Sequence, residues 1–264
     1  MKGELTVIGG DRRFLSVKRF FTENGFSVNT VFLGENDNGQ VNDTVILPVP
    51  VFRNGYLNAP LTDKKISENN LVDILPEKAT VFGGMISESF IEKCVQKGIK
   101  VIDYYKDEAL LKDNAQLTAR AVPFILQKHG ISAKSGNIFI LGYGRTGKAI
   151  AGVLSSVGGN VTVVTGKNRA DNYRFIHFDK LSDYLSDASL VINTVPSTVL
   201  SENELEKLNR NAVLIEIASA PFGIDFEAAE GLGIKVIKAL ALPGRYFPEE
   251  AGNAIAKVII KEMN

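Results

Sequence analysis

The chain has 264 residues, 45% hydrophobic and 23% charged, with Lys+Arg and Asp+Glu both at 30. This is globular composition, long enough for two compact units, and the balanced charge gives no net field to draw the protein to nucleic acid or to an anionic membrane. A single cysteine, Cys94, excludes intrachain disulfides and multi-cysteine zinc sites, and His129 and His177 lie far apart with no metal-ligand spacing.

The opening residues, Met1-Lys2-Gly3-Glu4-Leu5-Thr6-Val7-Ile8, turn polar too soon for a signal peptide, and no apolar run reaches membrane-spanning length; a cytoplasmic protein is expected. Strands are expected at 5–8, 27–33, 44–47, 80–82 and 100–103, with helices at 12–24, near Leu71 and at 88–97. Such alternation argues for a parallel sheet covered by helices. Gly9-Gly10-Asp11 would then turn at the carboxyl end of the sheet, where open α/β sheets place ligands, and Arg13 would emerge there, either to hold a ligand or to form a salt bridge on the first helix. Cys94 falls in a helical pattern and reads as a packed thiol. A long helix follows at 106–129, with Leu110, Leu117, Ala121 and Ile125 at helical spacing and Pro123 interrupting it as a point for a kink. It bridges to a second unit, entered through a hinge-like segment at 130–136.

The second unit opens on Ile138-Phe139-Ile140-Leu141-Gly142-Tyr143-Gly144-Arg145-Thr146-Gly147-Lys148-Ala149-Ile150-Ala151. An apolar strand feeds a G-x-G-x-x-G turn and a helix leaves it, the context a dinucleotide site needs. Gly142 permits the tight turn, Gly144 lets a pyrophosphate approach the backbone, and Gly147 brings helix and strand together. The phosphates, with Arg145 and Thr146 beside them, would meet unpaired N–H groups at a helix N-terminus. The next strand ends at Thr165, where NAD sites place an acid about 20 residues past the glycines. Here Gly166, Lys167, Asn168 and Arg169 follow, with no acid before Asp171. A carboxylate about 4 Å from a phosphate charge would cost roughly 4 kcal/mol at a surface-like effective dielectric, so its absence admits a 2′-phosphate, which Lys167 and Arg169 can attract. NADP is the expected cofactor.

Further strands are expected at 190–195, 213–218 and 235–239, and a final helix at 248–263, with proline and acids in its first turn and Lys261 in its last. Three segments would share the cofactor rim: Asn193-Thr194-Val195-Pro196-Ser197, Ala218-Ser219-Ala220-Pro221-Phe222-Gly223-Ile224-Asp225, and Ala241-Leu242-Pro243-Gly244. Thr194, Val195 and Pro196 can lie against the nicotinamide ribose, and Ala218 and Leu242 near the carboxamide. The expected architecture is α/β, two Rossmann-like parallel-sheet domains with a cofactor cleft between them: an N-terminal substrate domain at 1–115, to which the helix at 248–264 returns, and an NADP-binding domain at 116–247 with its leading linker helix.

These segments, with Val7-Ile8-Gly9-Gly10-Asp11, Arg13 and Val45-Ile46-Leu47-Pro48-Val49 at the start and Pro248 and Ala251-Gly252 at the end, together resemble the family of the dipicolinate synthase A subunit over nearly the whole chain. The resemblance implies a sporulation enzyme of a lysine-pathway branch, in the mother cell, oxidising dihydrodipicolinate to pyridine-2,6-dicarboxylate with NADP as hydride acceptor. It also implies a partner, the small flavoprotein-like B subunit of dipicolinate synthase, and a homo-oligomer is expected. The chain departs from the family in Asn114-Ala115-Gln116-Leu117-Thr118-Ala119-Arg120, where a proline and a small residue are usual, and at Arg245-Tyr246, where apolar residues are.

Aromatising a dihydropyridine ring drives that reaction, so the protein must chiefly position the ring and exclude water, and no acid–base catalyst is singled out. A dicarboxylate substrate needs guanidinium, hydroxyl and amide donors. The candidates are Arg13, Asn114, Thr118 and Ser219, with Arg120 and Arg245 as additions particular to this chain; Asp225 reads as a loop-fixing carboxylate. Two other readings stay open: an NADP-dependent dehydrogenase of another small hydroxy acid, shikimate-like, which should offer a Lys–Asp pair, and a non-catalytic NADP-binding subunit.

Overall fold

The structure, a computed structural model, describes residues 2–34, 39–167 and 171–263. The chain forms two compact units, Met1–Asp113 with Gly244–Asn264, and Asn114–Pro243.

In the first unit β1 (Glu4–Ile8), β2 (Ser27–Val31), β3 (Thr44–Ile46), β6 (Thr80–Gly83) and β7 (Lys100–Asp103) form a wholly parallel sheet in the order β2-β1-β3-β6-β7. Counted within the sheet this is 2-1-3-4-5, so the winding reverses between β1 and β3. Successive side chains of β1 feed opposite faces. Val7 joins Phe14, Val17 and Phe21 of α1 (Arg12–Glu23) and Ile255 and Ile259 of α9 (Pro248–Met263). Ile8 joins Leu71 of α2 (Glu68–Ile74) and Phe90 and Cys94 of α3 (Glu88–Gln96). Asp11, Ser67 and Ser87 begin these helices by accepting from the amides of Arg13, Asn70 and Phe90. A short hairpin of β4 (Phe52–Arg53) and β5 (Tyr56–Leu57) turns through Asn54-Gly55, both at positive φ, the pair a type I′ turn favours.

Helix α4 (Glu108–Lys128) carries the chain into the second unit and continues through Pro123 as one helix. There β8 (Asn137–Leu141), β9 (Asn160–Val164), β10 (Arg174–Ile176), β11 (Ala188–Asn193), β12 (Val213–Glu216) and β13 (Lys235–Lys238) form a second parallel sheet, ordered β10-β9-β8-β11-β12-β13. This is the 3-2-1-4-5-6 order of a doubly wound dinucleotide fold, with its reversal between β8 and β11. Between the strands lie α5 (Arg145–Ser156), α6 (Glu202–Glu206) and α7 (Phe226–Gly231), and α8 (Leu242–Tyr246) spans the boundary at Pro243. Both units are Rossmann-like.

Three strands stop two residues short of the expected ends. β2 ends at Val31, before Phe32 at φ 56°. β11 and β12 end at Asn193 and Glu216 rather than at 195 and 218, because their own side chains take the next amides: Val195 N donates to Asn193 Oδ1 and Ala218 N to Glu216 Oε1. The expected loop at 241–244 is largely the helix α8, with Pro243 in its first turn, where a missing N–H costs nothing.

α9 approaches α1 so closely at Gly252 that an added Cβ would meet the carbonyl oxygen of Arg13, a backbone atom that cannot swing aside. Gly252→Ala is expected to lose about 1–3 kcal/mol of stability through overpacking. Equilibrium denaturation checks this, and an unchanged midpoint would refute the close packing.

Candidate functional site

The glycine turn between β8 and α5 is built from missing side chains. Gly142 sits at φ 93°, donates its N–H to Val164 O at 2.8 Å, and leaves room for Thr194 Oγ1 and Val195 Cγ2, which lie 2.7 and 2.8 Å from where a Cβ would stand. Gly147 packs against the carbonyl of Gly142, and Thr194 Oγ1 donates to Leu141 O at 2.8 Å. Gly144 differs. It is the N-cap of α5 at an ordinary φ of −77°, it offers no side-chain cap, and nothing lies within 4 Å of its absent Cβ. No N-cap side chain closes the start of this twelve-residue helix, and the space where a Gly144 side chain would stand is empty, an arrangement suited to an anion. Arg145 is exposed and Thr146 half-buried beside it.

At the end of β9, Thr165 is buried; its N–H donates to Ile176 O and its Oγ1 accepts from Lys167 N at 3.4 Å. Lys167 is exposed, and Arg169 lies outside the described residues. Asp171, noticed in the sequence only as the first acid downstream, folds back on the glycine turn. Its Oδ2 accepts from Tyr143 Oη at 2.8 Å and lies 3.8 Å from Lys148 Nζ. Tyr143, Tyr173 and Phe175 stack edge-on beside it.

On the other side of the turn, the loops after β11 and β12 are tied to two buried side chains. Asn193 accepts from Val195 N at 3.0 Å and donates to Val195 O at 2.9 Å and Glu216 Oε1 at 2.8 Å. Glu216, which sequence reasoning missed, also accepts from the amides of Ala218, Gly223 and Ile224. Val199 and Leu200 then donate to Gly223 O, knitting the loops together. This unit therefore brings together Gly142, Gly144, Gly147, Thr194 and Val195. Pro196 and Ser219 are exposed on the loops, Ala218 is buried under them, and Leu242 is buried at the start of α8. Asp225 caps α7 by accepting from Ala228 N.

Among the substrate candidates, Asn114 and Thr118 share one face of α4, and Thr118 Oγ1 donates to Asn114 O at 2.8 Å. Arg120, two residues on and about 200° round the helix, is exposed on a different face. In the first unit Arg13 is 7% exposed. Its Nε donates to Asp11 Oδ1 at 2.9 Å, and Nη2 to Asp11 Oδ2 at 2.9 Å and Val49 O at 2.8 Å. It thus makes the salt bridge weighed for it, at the reversal point between β1 and β3; Nη1 makes none of these contacts. An added Cβ at Gly244 would stand 3.1 Å from Arg13 Nε, and Arg245 beside it is exposed. Burial pushes the phenols of Tyr104 and Tyr105 up, against the pull of the Arg13 charge. Cys94 is buried and its thiol is pushed up to about 11 by burial and by Glu68, which suits a packing role. His177 caps its own turn and sits 3.1 Å from Asp179, while the His129 amide closes the end of α4.

Residues 4–105 match the family described as the N-terminal domain of the dipicolinate synthase A subunit, and residues 113–228 match the D-isomer specific 2-hydroxyacid dehydrogenase NAD binding domain. The dipicolinate synthase A subunit of Bacillus subtilis (strain 168) is 27% identical over 98% of this chain and 95% of its own. The solved dipicolinate synthase A chain from Bacillus subtilis superposes with a TM-score of 0.83 at 25% identity, covering 100% of this chain and 96% of that one. From end to end the chain is similar to the dipicolinate synthase A subunit. The A-subunit structure from Bacillus halodurans, 22% identical, shares the fold at a TM-score of 0.86 over 99% of this chain and 97% of its own. The second unit is an NAD-binding dehydrogenase domain, whose residues fit a nicotinamide dinucleotide: the open N-cap at Gly144 stands where a pyrophosphate needs backbone amides. Among the described residues no helix is long and apolar enough to cross a membrane.

Because Gly144 has an ordinary φ and open space around it, Gly144→Val is expected to keep the fold, at a capping cost of about 1 kcal/mol, while filling the phosphate cradle. Titration with dinucleotide, alongside circular dichroism, checks this; a folded variant of unchanged affinity would remove the turn from the site.

Proposed function

We propose that this chain oxidises dihydrodipicolinate to dipicolinate, passing a hydride to NADP and releasing a proton to solvent, as the A subunit of a synthase whose partner is a flavoprotein-like B subunit in the cytoplasm of a sporulating cell. The observation that carries the reading is the open helix N-terminus at Gly144, at the reversal point of a 3-2-1-4-5-6 sheet in a chain similar from end to end to the dipicolinate synthase A subunit. When bound, NADP supplies the hydride acceptor. The protein's part is to hold, orient and dry the site: the product ring is aromatic, so the chemical step runs downhill once the ring is placed.

Gly142, Gly144, Arg145, Thr146 and Gly147 are proposed to hold the pyrophosphate, and Thr194, Val195, Pro196, Ala218 and Leu242 the nicotinamide side. NADP is favoured over NAD by Thr165, Lys167 and Arg169, and the acid that follows them, Asp171, is engaged by Tyr143 and Lys148. For the substrate carboxylates the proposed residues are Arg13, Asn114, Thr118, Arg120, Ser219 and Arg245. Arg13 leads because Asp11 and Val49 O hold its guanidinium still while Nη1 keeps two N–H groups to offer. Thr118 is the weakest donor, its hydroxyl proton being engaged by Asn114 O.

The direct test mixes the purified chain, with and without a flavoprotein-like partner, with the dihydrodipicolinate intermediate and follows NADPH formation. Turnover is expected, and dinucleotide binding without turnover would favour the non-catalytic reading. Replacing Lys167 and Arg169 together by Ala should weaken NADP about tenfold or more while NAD changes little; equal losses would make them an ordinary solvated loop. Arg13→Lys keeps the charge but loses the fork, and is expected to lower kcat/KM about tenfold at unchanged NADP affinity. Full activity would free Arg13 of a substrate role.

A further inference from the structure

Glu216 is a buried carboxylate that pairs with no buried cation among the described residues. It is 0% exposed, and its four hydrogen-bond partners are all neutral N–H donors: Asn193 Nδ2 at 2.8 Å and Ala218 N at 2.9 Å on Oε1, Gly223 N at 2.9 Å and Ile224 N at 3.2 Å on Oε2. A proton on either oxygen would point at an N–H, so both oxygens act as acceptors and the group stands there as an anion. Lys238, its register partner on β13, carries its ammonium over the Phe226 ring, 3.7 Å from the centroid, and is exposed to water. An amide in its place would turn an NH2 toward N–H donors, so holding these loops takes a group that accepts on both oxygens, and with it comes a buried charge.

Its place in the sheet gives that charge a use. With the pyrophosphate on the turn after β8 and the adenosine half toward β9, the nicotinamide half falls toward β11 and β12, whose carboxyl-end loops Glu216 ties down. We propose that Glu216 is a positioning residue for the nicotinamide half of the site: it fixes the loops at 193–200 and 218–225, and its negative charge favours the cationic, oxidised ring over the neutral, reduced one. The proposal rests on the dinucleotide reading. A site with this bias loads the hydride acceptor and sheds the reduced product, and aromatisation of the substrate supplies the driving force that the bias subtracts.

The test is calorimetric binding of NADP+, NADPH, NAD+, NADH, ADP-ribose and ADP-ribose 2′-phosphate to the wild type, Glu216→Gln and Glu216→Asp. The wild type should hold the oxidised form at least as tightly as the reduced. Glu216→Gln should lose about fivefold more affinity for the oxidised than for the reduced form, with the two nicotinamide-free ligands within about twofold. Glu216→Asp, which keeps the charge, should restore the oxidised-to-reduced ratio even where both affinities fall. Equal losses for the two redox forms in Glu216→Gln would leave a brace and overturn the electrostatic role. Should Glu216→Gln not fold, the wild-type and Glu216→Asp ratios decide, and a preference for the reduced form in both overturns the proposal. A wild type that binds ADP-ribose but no ring-bearing form more tightly also overturns it, whereas one that binds none of the six ligands overturns the dinucleotide reading itself.

Discussion

The second unit is organised around the contact between Gly147 and the Gly142 carbonyl, which exists only because neither residue has a side chain. It lets α5 start directly above the end of β8, with Gly144 as an N-cap that carries no side chain. The loop after the neighbouring strand β11 is fitted to the same gap: Thr194 and Val195 fill the space beside Gly142, and Thr194 closes the end of β8 by donating to Leu141 O. A side chain at either glycine would push apart helix, turn and the loop after β11 together.

From that turn a relay of polar contacts runs outward through the sheet. Val195 is held by Asn193, Asn193 by Glu216, and Glu216 gathers the amides of the loop after β12. Each buried polar atom along this relay is satisfied, which is what allows loops of Pro, Gly and Ser to keep a defined shape at a sheet's carboxyl edge. The first unit uses a different device at its own reversal point, a guanidinium locked between a carboxylate and a backbone carbonyl. Both devices fix polar groups before any ligand arrives.

The features legible in the sequence are those written in local pattern. The β8 strand, its glycine turn and α5 form one contiguous run, and the final helix carries its proline and acids in its first turn. Glu216 is invisible there for a physical reason: an acid ending an apolar strand reads as a solvent-facing residue, and its partners are backbone amides supplied by a loop whose residue Phe222 takes φ 68°. The one hint is a charge flanked by Ile215 and Ile217 within a buried run. Asp171 escapes notice because counting positions along the chain does not reveal that the loop doubles back to Tyr143. The short hairpin around Asn54-Gly55 carries a signal in its dipeptide, but strands of two residues have too little periodicity to register.

We propose that these features serve a dinucleotide seated on the turn after β8, its nicotinamide half extending toward β11 and β12. Crystals of the protein grown with NADP test this most directly. Pyrophosphate density is expected against the amides following Gly144, with the nicotinamide ring beside Val195 and the Ala218 loop. Pyrophosphate seated elsewhere, or a dinucleotide running the opposite way with its adenine over β12, would contradict it.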